Sequence, residues 1–362
     1  MSRDLRRTAP RVHGGLHPAE LRAAGVDPAT LLDLSVNVNP YGPDPGVIEA
    51  IRRAPLDAYP DPDASAVREA LGDRWSVVPG RVAFGNGASE LLWALAQVLL
   101  RDGRTLLVVE PAFSELRAAA EAAGGQVLEW RAQPSRALVP DLEAIGRELD
   151  RAQPHVLALC SPTSPAGAPV PHEAILRLAF DHPQTTVLLD ESFLSLSDGH
   201  ADLDEPLPDT VVRVRSLTKD HALPGLRVGY LLAPPELVRA VDGVRQAWPT
   251  GTLAQAAALA AVSAERFVAE SRARLRADRL ALAEGLRALG RPPLASTAPY
   301  LVFDAGDAAA LRARLLAGGV LVRDCASFGL PGFVRVAARP AADRDRFLAA
   351  LAAALRDREG AP

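Results

Sequence analysis

Residues 81–100 read RVAFGNGASELLWALAQVLL, and the order of their properties decides the fold. Val82-Ala83-Phe84 is a short apolar run suited to a buried strand, Gly85-Asn86-Gly87 interrupts it, and Glu90 to Leu100 repeats alanine and leucine at helical spacing. A strand that turns through glycines straight into a helix is the start of a βαβ unit. It leaves the unpaired N–H groups of the helix N-terminus at the end of the strand, where an anion is held well. The pattern recurs outward as far as Tyr230. Further strand-like runs are Thr105 to Val109, Gln126 to Trp130, Val156 to Leu159, Thr186 to Leu189, Val211 to Val214 and Val228 to Leu232, with helical patterns at Ser114 to Ala123 and Pro171 to Phe180. They predict an α/β fold with one large, seven-stranded, mostly parallel sheet, whose ligands collect at the strand C-termini.

Beyond Tyr230 a long helical stretch, roughly Gly251 to Leu289, reads as a connector. Strands at Tyr300 to Phe303, Val320 to Val322 and Val334 to Ala337 then alternate with helices Ala308 to Ala317 and Ala341 to Leu355, a smaller C-terminal α/β domain. The first forty residues, with Pro40, Gly42, Pro43 and Pro45 at their end, read as loops that pack on the smaller domain. The expected division is an N-terminal arm over 1–45, a large domain over 46–250, and the connecting helix with the small domain over 251–362. Neither an internal repeat nor a low-complexity linker is visible.

The 362 residues carry 40 basic and 44 acidic side chains, a formal charge of -4, without the basic stripe that nucleic-acid binding needs. No stretch offers the ~18 uninterrupted apolar residues of a membrane span, and MSRDLRRTAP leads into no apolar signal core. A cytoplasmic protein with neither a nucleic-acid nor a membrane partner is expected. Cys160 and Cys325 stand alone, so no disulfide framework or paired-thiol zinc site, and no metal, is expected.

A single lysine, Lys219, stands among those 40 basic residues. Arginine serves wherever charge alone is needed, but it cannot supply an amine that deprotonates and forms a Schiff base. Taken alone, one lysine is as readily an accident of composition, and its neighbours decide. Ser216-Leu217-Thr218-Lys219 ends a strand, and Pro224-Gly225-Leu226-Arg227-Val228-Gly229-Tyr230 follows. The Ser-x-x-Lys spacing of penicillin-binding enzymes also fits, but those need a later Lys-Thr-Gly and this chain has no second lysine. What remains is a Schiff-base lysine flanked by a hydroxyl and a guanidinium suited to a phosphate.

Two further segments are weaker alone. Gly85-Asn86-Gly87-Ala88-Ser89-Glu90 is a candidate phosphate cup; a dinucleotide loop would want a third glycine where Glu90 stands, and a plain turn capped by Ser89 is the bland alternative. Asp190-Glu191 ends an apolar strand, where a buried Asp wants a cationic partner such as a protonated pyridine nitrogen. A helix cap or a surface carboxylate pair is the alternative.

Together these segments make the chain resemble, over nearly its whole length, the pyridoxal-phosphate enzymes of fold type I, the aspartate aminotransferase superfamily. Within it the chain is most similar to histidinol-phosphate aminotransferases and the related threonine-phosphate decarboxylases of cobalamin synthesis. The matching pieces are His13-Gly14-Gly15, the run Asp33 to Pro43 with Asn37 and Asn39-Pro40, Tyr59-Pro60, the glycine loop, Pro111-Ala112-Phe113, Asp190-Glu191, the lysine motif, and Val322 to Gly329 leading to Arg335. The first and last lean toward the decarboxylases.

The resemblance implies pyridoxal 5'-phosphate on Lys219, which also moves the proton, with Asp190 on the pyridine nitrogen and Phe113 stacked on the ring. Gly87, Ala88, Ser89, Ser216 and Arg227 would hold the cofactor phosphate, joined by Tyr59 from a second subunit, so a homodimer is implied; the bland alternative for Tyr59 is a buried tyrosine. Arg335 would grip the substrate carboxylate. Arg323, His13 and Asn37 are looser substrate candidates, and an ordinary surface arginine is the alternative for Arg323. Two departures concern the cofactor's phenolic oxygen: Ser164 replaces an asparagine in Ser161-Pro162-Thr163-Ser164-Pro165-Ala166-Gly167, and Phe193 replaces a tyrosine.

Transamination and decarboxylation differ in which bond at the substrate Cα stands perpendicular to the ring. The expectation is an aminotransferase acting on an amino acid or phosphorylated amino compound and a 2-oxo acid, with threonine-phosphate decarboxylase as the alternative. A cofactor-sensing regulator would need a DNA-binding domain, for which these residues leave no room.

Overall fold

The computed structural model describes residues 14–199 and 207–359. His13, one of the substrate candidates, lies outside them. Seven strands form the large sheet: β2 (Val82–Asn86), β3 (Thr105–Glu110), β4 (Gln126–Arg131), β5 (Val156–Cys160), β6 (Thr186–Asp190), β7 (Val211–Ser216) and β8 (Val228–Leu232), in the order β2-β8-β7-β6-β5-β3-β4. Only β8 runs antiparallel to its neighbours. Sequence and structure agree on all seven runs and on the α/β class.

Apart from the part-exposed edge strand β4, the sheet is buried on both faces, which is why most of its strands read as nearly continuous apolar runs. In β3, Leu106 and Val108 pack with Leu91, Leu95 and Leu116 on one side, while Leu107 and Val109 pack with Ile145, Leu149 and Ile175 on the other. Register places the ends of β5 and β6 side by side, Cys160 opposite Asp190, and the end of β7 beside the start of β8, Ser216 opposite Gly229. Polar and reactive residues therefore gather at one edge.

The C-terminal region is a second layer. β9 (Tyr300–Asp304), β11 (Arg323–Asp324) and β12 (Phe333–Ala337) form an antiparallel sheet in the order β11-β12-β9. Its core joins Phe303, Val334 and Val336 to Leu311, Leu315, Phe347 and Leu351, with Leu282 and Leu286 of the long helix Glu265–Ala288.

Three expectations are corrected here. The run Val320 to Val322 is a shorter strand, β10 (Val320–Leu321), which leaves the small sheet to pair in parallel with β1 (Leu32–Asp33), and a separate strand not expected, β11, follows it and pairs with β12. The N-terminal stretch is not all loop, since Pro18–Ala24 is a helix with proline in its first turn and Gly25 closing it in the left-handed conformation at φ 66°. Its Leu21 packs on Leu316 and Leu321. The stretch 251–289 is two helices, Thr252–Val262 and Glu265–Ala288, because Ser263 and Ala264 interrupt it.

Candidate active site

A cleft of about 360 Å³ opens between the edge of the large sheet, the N-terminal segment and the small sheet. That volume falls in the range of roughly 300–1,000 Å³ usual for small-molecule sites. Its walls include Asn37, Ala88, Ser89, Phe113, Ser164, Asp190, Ser216, Lys219, Arg227, Arg323 and Arg335. Residues spread over three hundred positions thus meet in one cavity. Gly87 and Tyr59 do not line it.

One end is built for an anion. The helix Gly87–Leu99 begins directly at β2, with Ala88 and Ser89 in its first turn facing the cleft. Gly87 sits at φ +79°, and a Cβ there would lie 2.8 Å from an Arg227 Nη. Gly229 allows a second close approach, since its Cβ would lie 2.6 Å from the Ala88 nitrogen. Arg227 holds φ 57°, a left-handed conformation that costs a non-glycine residue about 1–3 kcal/mol, while its guanidinium lines the cleft.

Lys219 projects from the four-residue helical turn Leu217–Asp220. Its Nζ lies 4.6 Å from the centroid of Phe193. Burial pushes the amine below the ordinary lysine value; Asp190 and Asp220 pull it back up, while Arg227 and Arg335 add to the lowering. Asp190, at the end of β6, accepts a bond from the Ser192 N–H at 2.9 Å. Beside it, burial and the Asp190 charge push the Cys160 thiol well above its usual range.

Glu191 does not join the cleft. It is 1% exposed and accepts from Arg213 Nε at 2.8 Å and Arg215 Nη1 at 3.1 Å. The two carboxylates of Asp190-Glu191 therefore part, one to the cleft and one to a buried ion cluster, as alternation along extended backbone requires.

At the other end Arg323 and Arg335 are register partners across β11 and β12, both buried and both in the cleft. Arg323 is therefore not a surface arginine. Its Nη2 donates to Ser327 Oγ at 2.6 Å. Arg335 donates to the Ser35 carbonyl at 3.3 Å, and its guanidinium carbon lies 5.3 Å from the Tyr300 ring centroid. Among the described residues no carboxylate pairs with Arg335. Burial pushes both guanidinium pKa values down, and for Arg323 the charge of Arg335 adds to it. Two buried guanidiniums on the wall of one cavity suit an acid group there. Asn37, 5% exposed, has neither side-chain atom hydrogen-bonded among the described residues.

Tyr59 is 81% exposed and stacks on Trp248 with ring centroids 4.7 Å apart, so the alternative of a buried tyrosine is excluded for this chain. Sequence reasoning passed over Ser35, Ser192, Glu115 and Phe328, which also line the cleft. Phe328 lies within the Val322 to Gly329 run; Ser35 and Ser192 carry no signal of their own.

The aminotransferase class I and II family model matches residues 29–351. The chain belongs to this family. It is 32% identical to histidinol-phosphate aminotransferase 2 of Pseudomonas aeruginosa over 360 residues, covering 96% of this chain and 95% of that one. It is 35% identical to histidinol-phosphate aminotransferase of Symbiobacterium thermophilum, over 90% of this chain and 91% of the relative. The fold superposes on histidinol-phosphate aminotransferase from Sinorhizobium meliloti, solved with pyridoxal-5'-phosphate, with a TM-score of 0.86, 25% identity and 95% coverage of both chains. An aspartate aminotransferase from Thermus thermophilus follows at TM-score 0.80 and 30% identity, over 93% of this chain and 94% of that one.

The protein is thus a pyridoxal-phosphate-dependent aminotransferase, and its cleft fits that cofactor chemically. The helix N-terminus and Arg227 suit a phosphate dianion, Asp190 suits a protonated ring nitrogen, and Lys219 offers a buried primary amine in the same cleft. The glycines at 87 and 229 leave the room that side chains would fill.

Proposed function

We propose that this aminotransferase exchanges an amino group between a phosphorylated amino compound of the histidinol-phosphate type and a dicarboxylic 2-oxo acid, with the cofactor carried on Lys219. The observation that carries it is the Arg323 and Arg335 pair, two buried guanidiniums side by side at the end of the cleft away from the phosphate cup. Each half-reaction must hold a different acid group at one end of the same site. A phosphate or a carboxylate forks equally well onto arginine. The relatives that share the whole chain are histidinol-phosphate aminotransferases, which supports amine transfer over loss of carbon dioxide.

When bound, the cofactor supplies an aldehyde for the amino group and an electron-withdrawing ring. Asp190 holds the proton on the ring nitrogen. Phe113 covers one ring face. The backbone at Ala88, the Ser89 and Ser216 hydroxyls and Arg227 fix the phosphate, with Gly87 keeping the approach open. Arg335 would hold the acid group of whichever partner is bound, the phosphate of the donor or a carboxylate of the acceptor, and so fix the orientation of the bonds at Cα. Lys219, whose amine burial pushes below the ordinary lysine value, would take the Cα proton and later return it. Asn37 is placed to meet the polar body of the substrate.

The working form is a homodimer in which Tyr59 reaches the neighbouring subunit's phosphate cup, consistent with its exposure of 81% in one chain. No helix among the described residues is long and apolar enough to cross a membrane. The compartment proposed for the reaction is the cytoplasm.

The test compares histidinol phosphate with histidinol as amino donors for wild type and Arg323→Leu. The expected loss of kcat/KM in the variant is roughly tenfold to a hundredfold for the phosphorylated donor, the worth of a charge-assisted bond, and within about twofold for the bare alcohol. Equal losses on both donors contradict the assignment.

A further inference from the structure

Asn39 is tied to the lysine turn by two bonds. Its backbone N–H donates to the Lys219 carbonyl at 3.0 Å and its Nδ2 donates to the Asp220 carbonyl at 2.9 Å. Its Oδ1 accepts from the Tyr41 N–H at 3.1 Å, and the residue is 3% exposed. The turn Leu217–Asp220 has four residues and is closed by the His221 N–H donating to the Leu217 carbonyl at 3.3 Å, a marginal helix on its own. Its last carbonyls point out of a helix end and need donors from elsewhere. Asn39 supplies two of them.

The other end of the same segment is fastened to the strand that carries Arg335. Ala337 N–H donates to the Leu34 carbonyl at 3.0 Å, and Arg335 Nη2 to the Ser35 carbonyl at 3.3 Å. Arg339 Nη2 donates to the Asp33 carbonyl at 2.7 Å and the Val36 carbonyl at 3.4 Å, with its Nη1 3.4 Å from the Val38 carbonyl. Between the two fastenings Ser35, Val36, Asn37 and Val38 line the cleft. Residues 33–39 are therefore a strap, one end on the strand and guanidinium of Arg335 and the other on the backbone of the turn that carries the Lys219 amine.

We propose that Asn39 is a positioning residue for Lys219: through the strap it sets where the amine stands relative to a substrate held by Arg335. This rests on the role given above to Lys219 as the group that moves the proton. A base must come within about 2.6–3.2 Å of the proton it takes, and a misplacement of about 1 Å costs roughly a hundredfold in rate. Only a side chain with both a donor and an acceptor at this length satisfies Asp220 and Tyr41 together. Aspartate would keep the acceptor but set a carboxylate against the Asp220 carbonyl; alanine would lose both.

Lys219 is the only lysine of the chain, so protein grown on lysine labelled with ¹³C at Cε gives a single lysine side-chain resonance. Holoenzymes of wild type, Asn39→Asp and Asn39→Ala are compared by this resonance, by borohydride labelling of Lys219, and by kcat and KM with an amino donor carrying deuterium at Cα. The expected variants carry the label and bind substrate with KM within about twofold, lose roughly a hundredfold in kcat, show a larger deuterium effect on kcat, and shift the lysine resonance. Loss of packing alone would not raise the deuterium effect. The near-isosteric Asn39→Asp keeps the test open if Asn39→Ala folds poorly. Labelled variants with unchanged deuterium effect and an overlaid lysine resonance overturn the proposal alone. A wild type with no label on Lys219 overturns the functional reading and this proposal with it.

Discussion

The Lys219 amine stands 4.6 Å from the centroid of the Phe193 ring, a face that attracts a cation but accepts no proton and offers no hydroxyl. Burial outweighs this attraction and the charges of Asp190 and Asp220, so the amine titrates below its ordinary value. The folded chain then binds fewer protons at Lys219 than the unfolded one. Stability of cofactor-free protein rises with pH through the window from the lowered folded value to the unfolded value of about 10.4, and the cost is fully present below that window. Lys219→Met, stripped of cofactor, should melt above wild type at pH 7, with the gap closing above about pH 10.4. Thermal unfolding against pH checks this; a gap independent of pH refutes it.

Phe193 packs edge-on to Tyr300 with centroids 5.0 Å apart, and Ser164 is buried with a short side chain in the same cleft. Neither replaces fully the donors that an asparagine and a tyrosine would aim at the cofactor's phenolic oxygen. Restoring them with Ser164→Asn and Phe193→Tyr should lower the pH midpoint of the bound cofactor's absorbance, because donors to that oxygen favour loss of the neighbouring nitrogen's proton. A tenfold change in that protonation equilibrium corresponds to about 1.4 kcal/mol. Identical midpoints in an absorbance titration would mean that another group already donates there.

Glu191 accepts from two arginines beneath the cleft, and both guanidiniums lie over Trp75, at 4.5 Å for Arg213 and 4.9 Å for Arg215. Glu191→Ala would leave two buried cations short of their carboxylate and should cost about 3–5 kcal/mol in urea unfolding. Glu191→Gln, which keeps an acceptor, should cost less. A loss under about 1 kcal/mol for alanine would show that the cluster contributes little.

If Tyr59 serves a neighbouring subunit, inactive Lys219→Ala mixed with weakened Tyr59→Ala should recover activity, since one hybrid site carries both intact residues. Light scattering should report a dimer. A fully active monomer, or no recovery after confirmed subunit exchange, contradicts the shared site.

The seven strands of the large sheet were legible because double-sided burial leaves most of them mainly apolar, with glycine or proline near most of their ends; β7, with the buried Arg213 and Arg215, and the part-exposed edge strand β4 depart from that pattern. Lys219 stood out because it is the chain's single lysine, beside a serine and an arginine that the fold brings into the same cleft. The helix Pro18–Ala24 was missed although proline and glycine bracket it, because later prolines dominated the reading of that region. Register was beyond the sequence. Nothing in it sends Val320–Leu321 to Leu32–Asp33 while Arg323 turns to face Arg335, since the choice is made by contacts between segments far apart in the chain. The sequence reading kept Asp190 and Glu191 together; alternation separates them, and the arginines that receive Glu191 come from β7.

In the function proposed above, Lys219 and the cleft around it transfer an amino group. Holoenzyme mixed with histidinol phosphate, without a 2-oxo acid, tests it by the cofactor's absorbance and by mass analysis of the released cofactor, and threonine phosphate run in parallel is scored for carbon dioxide. The prediction is one equivalent of aminated cofactor per site from histidinol phosphate, returned to the aldehyde form when 2-oxoglutarate is added, and no such change in Lys219→Arg. Carbon dioxide from threonine phosphate, with the cofactor left in its aldehyde form by both compounds, would contradict it.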